Sequence, residues 1–495
     1  MHTPYIYLTP AINTNVFLTL YLKHVSYDMN EHNLIWTLDS YKQTHNEMYQ
    51  DDTEIVYSYL ESRLGGMYDY TEFFGLQYIL KKWLIGVVVT KELIDEAEPA
   101  LIEHFKFNNM KWSREKWDYI VEKHGGKLPI KIKAVKEGSK IPVGNVLMTV
   151  ENTGGNKTRW LTNALETVLQ QVWHPITVCT RSDLIVSIIK QAFKETVDDN
   201  NQWLSDFYLH DFSQRGVSSM EEAGIGGMAH LVNSKGTDSL MAIPYATNYY
   251  YANIEGLAYS VPASEHSIQT ALGKEYEFEV TKQLINKYPN GILSIVSDSY
   301  DIENAVHTYY TTLKDAIMSR NGKFVVRPDS PRFNADTPAN QILWITQKLW
   351  DGFGGHINTK GYKVLDSHIG QIYGDSLTEN DIFESLELLK SNGFSAEASL
   401  YGCGSYLVRK LNRDTMRFAF KCSAQKRNGV WYDIYKNPKD ITKKSKSGLL
   451  KLIDDNGVIK TVNHHEYLDK EDLLIDVFSN GELLIDYTFN EIRNR

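Results

Sequence analysis

Residues 292–301 read ILSIVSDSYD: an apolar run that stops at Ser297-Asp298-Ser299, with a helical pattern starting near Ile302. The arrangement recurs three times downstream. Residues 324–326 end at Arg327-Pro328-Asp329 before a helical stretch over 339–349. Residues 369–373 end at Gly374-Asp375 before one over 379–389, and residues 398–401 end at Gly402-Cys403-Gly404 before one over 407–411. A strand buried on both faces reads as a short continuous apolar run rather than as an alternation. Repeated strand–helix units with polar clusters at the carboxyl ends of the strands predict an α/β barrel, whose active site lies at that rim.

Outside this region the rhythm changes. Residues 55–59 alternate as a strand, residues 73–84 and 91–105 have helical spacing, and residues 128–150 alternate around Gly138 and Pro142-Val143-Gly144 as a half-exposed antiparallel hairpin. Residues 161–172 and 181–196 read as helices, and residues 431–492 return to short strands with turns such as Asp455-Asn456-Gly457. Residues 1–32 are polar and loosely patterned, an arm or extension to which no function is assigned.

The 495 residues are enough for two to four domains at roughly 150 residues each. Hydrophobic residues make up 42% and charged residues 23%, which excludes disordered and fibrous classes. Lys and Arg number 52 against 62 Asp and Glu, a net charge of −10, yet residues 409–451 hold 13 Lys/Arg and only 3 Asp. An acidic body with one strongly basic segment suits a small polyanion better than nucleic acid, which would want stacking aromatics interleaved with the cations. Cys179, Cys403 and Cys422 are too few and too scattered for a disulfide framework or zinc cluster. With no apolar run of membrane-spanning length and no signal-peptide pattern at the start, a cytoplasmic protein is expected, with neither membrane nor nucleic acid as partner.

The strand-end residues share a chemistry. Asp298, Asp329 and Asp375 can hold ribose hydroxyls or a magnesium ion, Arg327 can clamp a phosphate, and Gly374, Gly402 and Gly404 let backbone N–H groups approach phosphate oxygens. Singly, each is an ordinary turn residue; four sets at equivalent positions point to a phosphorylated sugar. His210-Asp211-Phe212-Ser213-Gln214-Arg215-Gly216 offers an aromatic face beside an anion clamp, or equally a buried Phe and a surface Arg. His266 beside Glu265 could be an acid–base group or phosphoryl acceptor, or a structural donor. Gly224-Ile225-Gly226-Gly227-Met228-Ala229 matches the dinucleotide pattern only formally, because residues 217–223 read as the start of a helix; close helix packing is the better account. His464-His465-Glu466 reads as a solvated loop.

From about residue 34 to residue 492 these stretches resemble the nicotinamide phosphoribosyltransferases, type II phosphoribosyltransferases. The motifs are Asp39-Ser40-Tyr41-Lys42, residues 56–63, 75–80, 141–153 (IPVGNVLMTVENT), 210–219 (HDFSQRGVSS), Gly236-Thr237-Asp238, 259–266, 296–301 (VSDSYD), 327–330 and 420–423. The resemblance implies an irregular (β/α) barrel over residues 181–415. An α+β domain built from both chain ends would flank it, residues 33–180 and 416–495, the latter carrying the basic phosphate-binding segment.

It also implies condensation of nicotinamide with 5-phosphoribosyl 1-pyrophosphate to nicotinamide mononucleotide and pyrophosphate, in NAD salvage, at sites shared across a homodimer. By motif, Phe212 and a second subunit's Tyr41 would sandwich the pyridine, Asp238 would accept from the carboxamide, and Arg327 would lie close by. Arg215, Arg327, Asp329, Gly374, Asp375, Gly404 and Ser405 would hold ribose and phosphates, joined by Arg413, Lys421 and Lys443 lent by the second subunit, with Arg63 and Lys436 as pyrophosphate contacts. His266, flanked by Glu265 and Asp298, would be phosphorylated by ATP, with Mg²⁺ on the pyrophosphate. No residue set is assigned to the metal. A nicotinate phosphoribosyltransferase, or a non-catalytic relative using the basic segment on nucleic acid, are the alternatives. Two departures from the family bear on ATP coupling and phosphate affinity: Tyr406 adds bulk beside the phosphate loop, and Pro331 opens a longer insert over residues 332–338.

Overall fold

The computed structural model describes residues 29–108, 112–333, 336–374, 376–436 and 444–495. Asp375, Lys443 and all but the end of the N-terminal arm lie outside the described residues. Six strands run parallel in one sheet: β1 (Leu209–Asp211), β2 (Gly236–Thr237), β3 (Leu293–Val296), β4 (Phe324–Arg327), β5 (Ile369–Tyr373) and β6 (Leu400–Cys403). Their order is β2-β1-β6-β5-β4-β3. The apolar runs are buried end to end, as in β3 and β5, because helices such as Pro338–Phe353 and Glu379–Ser391 cover the outside.

The two sheet edges do not pair directly. An extended segment joins them: Tyr259 N–H donates to Lys235 O beside β2, and Thr237 N–H donates back to Tyr259 O. Farther along, Ser264 N–H donates to Ser294 O in β3, and Ser294 N–H to Pro262 O. Residues 259–264 therefore close the curl irregularly, and the polar ends of all six strands face one side.

A seven-stranded antiparallel sheet lies beside the barrel. It draws Thr53–Ser62, Ile130–Ala134 and Val146–Asn152 from the first part of the chain, and Phe418–Arg427, Val430–Asp433, Ile475–Ser479 and Glu482–Leu483 from the last. This is the architecture the resemblance implies. The hairpin expected over 128–150 is real, with Ile132 opposite Val150, but it is interrupted: Lys140–Pro142 leaves to pair with Tyr70–Glu72. Its strand Val146–Asn152 is almost wholly buried rather than half-exposed, because the turn Leu161–Ala164 and the hairpin of Leu450–Asp455 and Val458–Asn463 pack against it.

Other local differences have clear causes. Residues 161–172 form three short turns in place of one helix. The fourth predicted strand starts at Leu400, since Ser395 caps a 3-10 turn over Ala396–Ala398, and the following helix is the single turn Ser405–Val408. The glycine run lies inside helix Met220–His230, as its context required. A Cβ on Gly224 would sit 2.3 Å from the Tyr245 ring, and one on Gly226 would sit 2.2 Å from Val408, so these glycines serve helix packing. Cys179, Cys403 and Cys422 are free thiols. Among the described residues no helix is long and apolar enough to cross a membrane.

Candidate active site

A cavity of about 790 Å³ opens at the carboxyl ends of the six strands. Phe212 follows β1, Asp238 follows β2, Arg327 ends β4 with Asp329 two residues on, Gly374 follows β5, and Gly404-Ser405 follow β6; all line this cavity, as do Arg215 and Glu265. The Phe212 ring lies across the barrel mouth, and its position depends on glycine. A Cβ on Gly402 would meet Phe212 Cε2 at 2.2 Å, and one on Gly374 would stand 3.5 Å from the same atom. A Gly402→Val substitution is expected to push the ring out of place and raise KM for the ring substrate about tenfold, with the phosphate substrate's KM little changed; steady-state kinetics on both substrates checks this.

A second, mostly apolar cavity of about 490 Å³ continues into the barrel, and Phe212, Asp238, Ala263 and Arg327 line both. Their junction is a neck with an aromatic face, a carboxylate and a guanidinium. Asp238 N–H donates to Asp211 O at 2.9 Å, and its carboxylate accepts from the Ser260 hydroxyl on the closing segment. His210 forms part of the inner wall, its ring 6.1 Å from that of Phe212. Burial holds its imidazole down at about 4, so His210 adds no charge to an inner wall whose cations are Arg327 and Lys323. The motif around His210 and Ser260 is legible in the sequence, but nothing there distinguishes these two side chains as site residues.

Arg327 donates through Nη2 to Ser264 O at 2.5 Å, while its Nε is buried with no hydrogen-bond partner. Asp298 accepts from Asp329 N–H at 3.0 Å and from Ser330 Oγ through Oδ2; its Oδ1 is likewise buried and unpartnered. Orphaned buried polar atoms are costly, and a donor and an acceptor waiting at one rim are what a bound polar ligand would satisfy. His266 stands at this rim, half-exposed, with Nδ1 3.0 Å from Ser299 Oγ and Nε2 3.9 Å from Asp298 Oδ1 and 3.8 Å from Asp329 Oδ2. The carboxylates facing His266 are thus Asp298 and Asp329, whereas Glu265 accepts from Ser267.

The remaining expected residues are elsewhere. Arg63, Arg413 and Lys421, with Arg417, line a separate cavity of about 380 Å³ that shares no residue with the first. Burial, then Arg63, Lys42 and Arg413 nearby, depresses the Lys421 ammonium below the usual lysine range, a strain that an anion would relieve. Tyr41 is exposed on the 3-10 helix Ser40–Glu47, its ring edge-on to His45 at 5.0 Å. Lys436 N–H donates to Ser445 Oγ, Ser445 N–H donates back to Lys436 O, and Lys436 lines none of these cavities. The bulk expected of Tyr406 beside the phosphate loop is absent: its ring turns away from the cavity and stacks on Arg181, with 4.2 Å between guanidinium and ring centroid.

The nicotinate phosphoribosyltransferase (NAPRTase) family model matches residues 207–482, and the model of the nicotinamide phosphoribosyltransferase N-terminal domain matches residues 33–132. A nicotinamide phosphoribosyltransferase of Xanthomonas campestris pv. campestris is 40% identical over 473 residues, covering 93% of this chain and 97% of its own. One from Acinetobacter baylyi is 34% identical, covering 92% and 96%. In fold, the chain is similar to nicotinate-nucleotide pyrophosphorylase from Pyrococcus furiosus (TM-score 0.57, 15% identity, 95% and 96% covered) and to human nicotinic acid phosphoribosyltransferase (TM-score 0.50, 12% identity, 92% of each). With more than half its length matched by one family model and near-complete relatives above 30% identity, the chain belongs to the nicotinate phosphoribosyltransferase (NAPRTase) family and is a pentosyltransferase.

Proposed function

We propose that this chain condenses nicotinamide with 5-phosphoribosyl 1-pyrophosphate, yielding nicotinamide mononucleotide and pyrophosphate for NAD salvage. The observation that carries the choice of base is the neck, where Asp238 lines both cavities with Phe212 and Arg327. A carboxylate there accepts from a carboxamide N–H and repels a nicotinate carboxylate. The names of the Xanthomonas and Acinetobacter relatives support the same choice.

In this reading the pyridine nitrogen attacks the anomeric carbon as the C–O bond to pyrophosphate breaks, through an oxocarbenium-like transition state. The ring stacks on Phe212, Arg215 and Arg327 hold phosphate groups, and Asp329, Gly374 and Asp375 border the ribose, so the protein mainly orients reactants. Asp298 and Asp329 offer oxygen donors of the kind Mg²⁺ takes. Among the described residues no group of three such side chains is arranged to hold a metal ion, so most of its ligands would be pyrophosphate oxygens and water. Bound there, Mg²⁺ would neutralise charge on the departing pyrophosphate.

The basic cavity of Arg63, Arg413 and Lys421 would serve the site of a second copy, together with Tyr41, Lys436 and Lys443. Its separation from the Phe212 cavity within one chain supports a homodimer with shared sites. His266 would accept the γ-phosphoryl group of ATP on Nε2, releasing ADP, with Nδ1 steadied by Ser299.

The test is incubation with phosphoribosyl pyrophosphate, Mg²⁺ and either nicotinamide or nicotinate, with and without ATP, and chromatography of the mononucleotides. The amide product is expected, in higher yield with ATP, along with acid-labile phosphate on the protein. No product with either base overturns the proposal. The acid alone as product overturns the base assignment, and a yield indifferent to ATP removes the phospho-histidine step.

A further inference from the structure

Tyr406 departs from the family and occupies no part of the cavity, yet its hydroxyl is committed. It donates to Glu379 Oε2, while the Tyr68 hydroxyl donates to the other oxygen, Oε1, at 2.6 Å. Between the two phenols lies Arg181, 1% exposed, from the long helix Trp173–Thr196. Arg181 donates through Nε to Tyr68 Oη at 2.8 Å and through Nη1 to the backbone carbonyls of Tyr406 and, at 3.4 Å, Lys410. Its guanidinium also stacks on the Tyr406 ring. Burial raises both phenols above the usual tyrosine range, so each keeps its proton and donates.

The network joins two loops that are far apart in sequence. Glu379 opens helix Glu379–Ser391, three residues beyond Ser376, which lines the cavity with Gly374. The start of that helix is fixed independently by the Thr378–Asp381 capping box. Tyr406 follows Gly404-Ser405 on the opposite wall. A buried cation linked to its carboxylate by the Tyr68 hydroxyl and by stacking on the Tyr406 ring costs free energy unless every member is bonded. We propose that Tyr406 is a positioning residue which, through Glu379 and Arg181, sets the spacing of Gly374 and Ser376 on one wall and Gly404-Ser405 on the other around the substrate's phosphate. This rests on the reading of the cavity as a phosphoribosyl pyrophosphate site.

The test is Tyr406→Phe, which keeps the ring and its stack but loses the bond to Glu379. Its KM for phosphoribosyl pyrophosphate is expected to rise about fivefold, with nicotinamide KM and kcat within about twofold of the parent. Glu379→Gln, which leaves Tyr406 on Arg181 but removes one acceptor, should give the same split, and it carries the test if Tyr406→Phe does not fold. An active parent enzyme whose variant shows unchanged KM values, or equal rises in both, or only a lower melting temperature, overturns the positioning role. A parent enzyme with no turnover refutes the underlying site assignment instead.

Discussion

Replacing Arg327 by alanine is expected to lower kcat/KM by about a thousandfold, the scale seen when a charged donor to a developing anion is removed from a pre-organised site. Three observations put the effect at that end of the range. Arg327 lines both cavities, and the other cations on their described walls are Arg215 in the outer one and Lys323 in the inner. Its Nε is buried and unpartnered, a donor held in readiness by the bond from Nη2 to Ser264 O. That bond also ties β4 to the closing segment, so alanine removes both the charge and the element that aims it. Arg327→Lys keeps the charge without the two-pronged geometry and should recover only part of the loss, about tenfold to a hundredfold below the parent. Steady-state kinetics decides: a loss under tenfold in the alanine variant, with both KM values unchanged, would remove Arg327 from the site.

The second large effect concerns choice of base. Asp238→Ala should reduce kcat/KM for nicotinamide about a hundredfold, because a site built to bond a substrate N–H leaves that group unpaired when its acceptor is lost. Turnover of nicotinate should rise at the same time, since the carboxylate that repels it is gone. Asp238 is exposed in the single chain, so its selectivity depends on the covered neck formed when the ring lies on Phe212. Ser260→Ala, which removes only the donor to Asp238, should have a smaller effect of the same sign. Competition between the two bases, read from product ratios, measures both variants; an unchanged ratio in Asp238→Ala would transfer selectivity to another residue.

Much of the rim was legible in the residues. Asp298, Arg327, Asp329 and Gly374 announced themselves because buried strands such as Leu293–Val296 and Ile369–Tyr373 are unbroken apolar runs with abrupt polar ends. The strands Leu209–Asp211 and Gly236–Thr237 carry Phe212 and Asp238 just as surely, but at three and two residues they are too short for any periodicity to mark. The closing segment over residues 259–264 has no regular pattern, since it is held by isolated hydrogen bonds to two different strands.

What the sequence by itself determined was the class of architecture, the polar rim and the family, because each rests on local order along the chain: apolar runs, glycine and proline punctuation, and motifs in series. Only the tertiary structure decided which rim groups meet. It gathered Arg63, Arg413 and Lys421 into one cavity, set Asp329 beside Asp298 against His266 while Glu265 bonds Ser267, and turned Tyr406 onto Arg181, 225 positions away. Such pairings depend on how β/α units wind past one another and on where buried charges find partners, and no spacing along the chain encodes either.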